Sequence, residues 1–421
     1  MKQFLQGTVL LIVGLFLAGC DDSSIIDKEE PVKKNVQTQV QELIVWHTYS
    51  EEETKVFEND LIPIFEDQNP GIDVRTVRQS HNDQLKSALI ARASSGKDPD
   101  VVRMDIAWIP KFIELGLVLP LNDYEGFHEV KAQMRYEALK AVNAGGKYYG
   151  MPLNTNTKAA IYNKHLLQLA GLSKPPETME ELLDIIEKND YKIGMSGVTP
   201  WQSLPYFYGF GGEFFSPDFK KTSGYFNSKE SIKAAMKMKD LYMAKKMTPE
   251  LLVGSPQIWE GVLSGEYFVI DEGPWFYSIK STQERARLDK LLVTAPFPVT
   301  NGKGSVIGGE NLVIMKGAKN PDIAWKFVKW MSDKQAQQLM STTGLIPANK
   351  DVDFEKVYQE FPYYRAYLEG INDSFLRPPI GEWDQVEKIY TKYFELFLSG
   401  NMDAQAALDL ASKEIDQILK K

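Results

Sequence analysis

Three features of the sequence predict an α/β fold. Between residues 43 and 116, short apolar runs alternate with helix-patterned segments three times over. The run Tyr267-Phe268-Val269-Ile270 is apolar at every position, like a strand buried on both faces of a mostly parallel sheet. The chain has 421 residues, 43% of them hydrophobic, which is enough for two cores at ~100–200 residues per domain.

The first strand is expected at Leu43–Trp46, with His47, Thr48 and Tyr49 at its end. Ser50 and Glu53 then have capping-box spacing, and Val56, Phe57, Leu61, Ile64 and Phe65 form the apolar face of a helix that Pro63 should kink. After Gly71, residues 72–77 alternate like a strand, and a helix carrying Leu85, Leu89 and Arg92 runs to near Gly96. Pro99–Val102 is the third strand, ending towards Asp105, and Ile109, Phe112 and Leu115 mark a helix that Gly116 stops. This β-α-β-α-β-α order predicts a doubly wound first lobe. The polar Asn154–Thr157, set in an extended apolar segment, suggests the chain crossing between lobes. Helices are expected at 178–188, where Thr178 and Glu181 form a capping box, and at 232–243, with an aromatic, Gly-rich patch from Trp201 to Phe215 between them. Residues 302–309 read as loop, Leu312–Ile314 as strand, and Asn320-Pro321 as the cap of a helix over 323–331. From Phe354 onward the chain reads as helical apart from the Arg377-Pro378-Pro379 break.

The stretch Val262–Lys280 organises the functional reading. Gly265 suits a helix stop, and the apolar run that follows is ended by Asp271 and Glu272. Gly273 permits a tight turn, and Pro274 pre-sets φ for a new helix. Trp275 therefore falls at the carboxyl end of a strand, where open α/β sheets bind ligands. Pattern alone leaves two roles for it, cleft residue or core aromatic.

Composition narrows the classes. A formal charge of −9 with mixed signs offers no nucleic-acid footprint. Four histidines and one cysteine, without metal-ligand spacing, suggest neither a metal nor a cofactor. Lys2 precedes an apolar run over 9–18 that is too short for a permanent span and ends in Leu17-Ala18-Gly19-Cys20. That ending resembles the bacterial lipobox, which implies a signal peptide over 1–19 and lipidation of Cys20. Residues 20–42 then form a flexible tether, and the body faces the extracellular or periplasmic side.

The lipobox, the first strand-helix unit, Pro99–Val102, Ile161-Tyr162-Asn163-Lys164, Gly273-Pro274-Trp275, Gly308-Gly309 before a strand, Gly344-Leu345-Ile346-Pro347 and Trp383 recur in a familiar order. Together they resemble the family 1 extracellular solute-binding proteins of ABC importers, the maltose-binding-protein type, over residues 43–421. The resemblance implies a two-lobed periplasmic-binding-protein-like fold with extra C-terminal helices. Lobe 1 would comprise 43–152 plus 308–350, and lobe 2 153–307 plus 351–421. It further implies a carbohydrate ligand, a membrane-spanning permease as partner, and a monomer.

Trp275 matches the family's sugar-stacking tryptophan, Tyr162 lies in its Tyr-Asn-Lys motif, and Trp383 resembles a second stacking position with different downstream spacing. Asn156 stands where maltose-binding protein has an acidic sugar contact, a departure that puts maltose itself in doubt. Trp46, His47 and Asp105 sit at strand ends of the first lobe, where the family gathers polar contacts. Asn154, Trp201, Tyr206, Glu310 and Arg377 complete the candidates from composition and placement. The chemistry suits a sugar, whose C–H face stacks on indole and whose hydroxyl rim needs paired hydrogen bonds. Two other classes stand beside this one. A glycan-degrading enzyme needs a carboxylate pair, and Asp271-Glu272, as sequence neighbours, point in different directions. The other is a binder of a non-sugar solute such as a polyamine, peptide or metal complex, of which the ligand count disfavours metal and a polyamine would need several converging acids.

Overall fold

A computed structural model describes residues 40–248, 250–252, 257–299 and 304–420. The expected signal peptide, Cys20 and most of the tether lie outside these residues. The folded body begins two residues earlier than expected, with strand Gln41–His47.

In the first sheet, Ile72–Arg78, Gln41–His47 and Val101–Asp105 run parallel, with Gln41–His47 in the middle, as double winding requires. The long strand Ser305–Ile314 lies antiparallel to Val101–Asp105, Met151–Asn156 lies antiparallel to that, and Ile346–Pro347 forms the edge. The start of the long strand also pairs in parallel with Ser374–Leu376. A second sheet has the order Leu292–Ala295, Ala159–Asn163, Val269–Glu272, Ile193–Gly194, and only the last pairing is parallel. The fold is thus the expected two-lobed α/β one, but its sheets are mixed rather than mostly parallel. The chain leaves the first sheet along Met151–Asn156 and returns to it along Ser305–Ile314, and the two strands run in opposite directions.

Local signals largely act as expected. Ser50 with Glu53, and Thr178 with Glu181, form reciprocal capping boxes. Asn320 caps helix Pro321–Met331 through Ile323 N–H. Near Pro63 the helix does not break. A π turn over Phe57–Leu61, with Ile62 N–H bonded to Phe57 C=O, leads into Ile62–Gln68 and places the proline in its first turn, where a missing N–H costs least. Three expectations are corrected. Asp271 and Glu272 lie inside strand Val269–Glu272 because buried partners satisfy them. Residues 305–309 are strand, not loop, and Ser374–Leu376 is a strand inside the region read as helical.

One core joins Leu43, Val45, Phe57 and Phe65 to Leu312, Val313 and Phe327. Another joins Tyr162, Phe207 and Phe268 to Tyr390 and Phe394 of helix Trp383–Leu398, which packs with Ala404–Leu419. A third sets Ile161, Ile270, Phe276 and Tyr277 against Tyr364 and Tyr367. Where the chain crosses between the sheets, three buried hydroxyls meet. Thr157 Oγ1 lies 2.8 Å from Ser305 Oγ and 2.7 Å from Ser374 Oγ, and it donates to Val306 C=O at 2.9 Å. Ser305 Oγ in turn accepts from Lys158 N–H at 3.0 Å and donates to Lys158 C=O at 2.7 Å. The crossings are therefore tied to one another by buried hydroxyl hydrogen bonds.

His47, which closes the first strand, is 1% exposed between the Tyr49 and Phe57 rings. Burial pushes its imidazole down to about 4, against the pull of Glu58 3.5 Å away. A depressed histidine favours the fold above its ordinary value of 6.5, and that contribution is lost as pH falls towards about 4. Urea denaturation should show stability falling across this window. His47→Gln should flatten the fall, and an unchanged slope would remove His47 as its cause.

Candidate functional site

The alternation of strand side chains assembles a polar wall at the junction of the lobes. Glu310 is in register with Asp105 on one side and Asn154 on the other, and Gly308 with Asn156. Residues two apart share a face, so Arg103, Asp105, Asn154, Asn156 and Glu310 present together. The guanidinium of Arg103, 4% exposed, organises this wall. It donates to Thr48 Oγ1 at 2.7 Å, to Asn154 Oδ1 at 3.2 Å and to Glu310 Oε2 at 3.0 Å, and stands 4.3 Å from the centre of the Tyr49 ring. Asn154 Nδ2 also donates to Glu310 at 2.5 Å. Glu53 accepts from Ser50 N–H at 2.7 Å, and burial raises its carboxyl above the ordinary range despite the nearby Arg103.

The opposite wall is aromatic. Strand Val269–Glu272 ends in the Gly273-Pro274 turn, and helix Trp275–Ser278 begins at the tryptophan. A Cβ on Gly273 would come within 2.2 Å of the Trp275 ring, so only glycine lets the indole fold back over the turn. Glu272 holds that turn, accepting from Gly273 N–H at 2.9 Å and from Trp259 Nε1 at 2.8 Å. Asp271 forms a fully buried ion pair with Lys158, and its carboxyl is pushed up to about 6 by burial while Lys158 draws it down. Both acids of the pair are thus engaged in holding the structure. Trp201, in helix Pro200–Gly209, lies 6.0 Å from Trp275, ring centre to ring centre, at 32°. Gly308 makes room for this, since a Cβ there would approach Asn156 Oδ1 to 2.2 Å and Trp201 to 3.1 Å.

Between the walls is a cavity of about 620 Å³, in the range that small-molecule sites occupy. Of the residues expected from sequence, Trp275, Asn154, Asn156 and Glu310 line it. Trp201, Asp105 and Arg377 stand just behind. Arg377 lies 5.1 Å from the Trp201 ring and 3.5 Å from Asp105, whose other oxygen is 3.4 Å from His81. Burial opposes the Asp105 charge, but His81 and Arg377 outweigh it and hold its carboxyl low. The Asp105 hydrogen bond in turn raises the His81 pKa.

Five expected contacts do not reach the cavity. Tyr162 and Tyr206 are fully buried against Phe268 and Phe297, and Trp383 is 4% exposed beside Phe214. Large rings on inward strand and helix faces fill the second core before they can serve a cleft. His47 is buried behind the wall, and Trp46 packs on the first core under Arg92, whose guanidinium lies 5.0 Å from its ring. Cys20 lies outside the described residues. Sequence reasoning missed Arg103, Tyr49, Glu53, Arg78 and His81. A charge inside Val101-Val102-Arg103-Met104 was the available signal for the first of these. Among the described residues, no group of His, Cys, Asp and Glu could hold a metal ion, and no helix is long and apolar enough to cross a membrane.

The family model for bacterial extracellular solute-binding proteins matches residues 60–366. A maltotriose-binding protein of Pyrococcus abyssi is 28% identical over 351 residues, covering 80% of this chain and 73% of that protein. The diacetylchitobiose binding protein DasA of Streptomyces coelicolor is 25% identical over 335 residues, 77% of this chain and 78% of its own. Among solved structures, the GacH receptor of Streptomyces glaucescens, determined unliganded and with acarbose, superposes with a TM-score of 0.75 at 25% identity. It covers 90% of this chain and 98% of GacH. MalE from Xanthomonas citri gives a TM-score of 0.76 at 22% identity over 90% of this chain and 98% of its own, a likeness of fold. With a matched span that takes in the second sheet, most of the first and most of the cavity wall, the chain belongs to the bacterial extracellular solute-binding proteins.

Proposed function

We propose that the protein binds an oligosaccharide outside the cytoplasm and delivers it to the permease of an ABC importer. The observation that carries this reading is the pairing of a half-buried Trp275 with a hydrogen-bonding wall across one cavity. An indole covers the apolar face of a sugar ring, while Asn154, Asn156 and Glu310 offer amide and carboxylate groups to its hydroxyls. The relatives named for binding maltotriose and diacetylchitobiose support the same class. Residues 43–152 plus 308–350 and 153–307 plus 351–421 are proposed to close on the ligand as two lobes, bending at the Thr157, Ser305 and Ser374 crossings. Binding proceeds without turnover, and a monomer suffices. A polyamine fits the cavity less well, because Glu310 is already engaged by Arg103 and Asn154.

Differential scanning fluorimetry against a glycan panel should find an oligosaccharide that raises the melting temperature, since it binds the folded state alone. With that sugar, Trp275→Ala should weaken binding by about ten- to a hundredfold in titration calorimetry. Covering about half of an indole's ~200 Å² at ~25 cal/mol per Å² is worth roughly 2–3 kcal/mol, and each ~1.4 kcal/mol is tenfold. If affinity held while the ligand-free melting temperature dropped by many degrees, Trp275 would be a core residue.

The lipobox-like Leu17-Ala18-Gly19-Cys20 supports export and anchoring through an acylated Cys20, with 20–42 as tether. Cys20→Ser should move the protein from the detergent phase to the aqueous phase in phase partitioning. Unaltered partitioning would count against lipidation.

A further inference from the structure

Among the described residues, Arg78 is the arginine lining the cavity that has no acid partner. Glu310 holds Arg103 at 3.0 Å, and Asp105 stands 3.4 Å from His81. Glu53 accepts from the Ser50 N–H at 2.7 Å, and burial raises its carboxyl above the ordinary range while the nearby Arg103 draws it down. Arg78 differs from all of these. Its Nε donates to the Tyr49 carbonyl at 2.9 Å, which pins the guanidinium to the cavity wall. Among the described residues, no carboxylate lies within ion-pair distance of it. Arg78 is therefore a cation of the cavity wall that no neighbouring acid pairs with.

Arg78 is exposed to water, and a neutral solute that displaced this water would leave its charge unanswered, at a cost in free energy. An anionic group on the solute would remove the cost. The terminal nitrogens of a guanidinium match the spacing of a carboxylate and bind it through two parallel N–H···O bonds. Trp275 across the cavity asks for a ring face on the same molecule. We propose that the solute is an acidic oligosaccharide, one carrying a uronic acid, and that Arg78 selects it by holding its carboxylate. This rests on the carbohydrate reading above.

Calorimetry on the full chain with trigalacturonate and with its methyl ester, which share their rings and differ in charge, tests the assignment. The acid should bind about ten- to a hundredfold more tightly than the ester. Arg78→Met should collapse that preference, and Arg78→Lys should restore part of it. A second measure needs no substitution. Raising the salt concentration should weaken binding of the acid to the parent protein and leave the ester unaffected. An ester that binds as tightly as the acid, or a preference that survives Arg78→Met, would overturn the proposal. Binding of neutral glycans alone would overturn it while leaving the carbohydrate reading intact, whereas binding of no glycan at all would overturn both.

Discussion

The buried guanidinium of Arg103 is the constraint on which the site depends. A side chain 4% exposed cannot keep its charge without partners, and isolated burial of such an ion is costly. Its three acceptors, Thr48, Asn154 and Glu310, come from three separate stretches of chain. One cation therefore aligns the loop after the first strand, a crossing strand and the returning strand. Removing any acceptor strands the charge, so the wall is rigid for the reason that makes it expensive. The donors and acceptors that a solute meets are set before it arrives.

The aromatic wall follows a different logic. Trp275 is positioned by what is absent at Gly273 and by Glu272, which holds the backbone of the turn, and Trp201 beside it by what is absent at Gly308. The Lys158–Asp271 pair, buried under the turn, is the second lobe's counterpart to Arg103. Lys158 and Arg377 lie 6.0 and 5.1 Å from the Trp201 ring, where a cation is drawn to the π face. Charge thus supports the aromatic side as well, from behind.

Most of the scaffold was legible in the sequence. Strand-helix alternation from Leu43 to Gly116, the capping boxes at Ser50 and Thr178, and the Gly273-Pro274-Trp275 turn all act through local rules, and local rules are written in neighbouring residues. What escaped is set by distant partners. Asp271 and Glu272 look like strand breakers until Lys158 and Trp259 come into contact with them. Ser374–Leu376 is too short to declare itself and becomes a strand only beside Ser305–Ile307. Of the candidate residues, Trp275 was singled out by its place at a strand's carboxyl end, Asn156 by resemblance, and Asn154 and Glu310 by composition and placement; all four line the cavity. Tyr162 and Trp383 were drawn from the resemblance and Tyr206 from composition, and all three rings are buried in the core, since neither a motif nor a composition says which way a ring points. Arg78 and His81 were overlooked because a strand terminus rich in polar residues reads as an ordinary loop.

The place of Ser305–Ile314 in the first sheet has a consequence for how the chain is made. It lies between Val101–Asp105 and Met151–Asn156, both of which precede it by about 150 residues or more. At ~5–20 residues per second, synthesis leaves those two strands without their shared neighbour for roughly 10–30 s. During that interval each presents an open edge of unpaired N–H and C=O groups. A polypeptide wired this way benefits from being held extended until its last third has emerged.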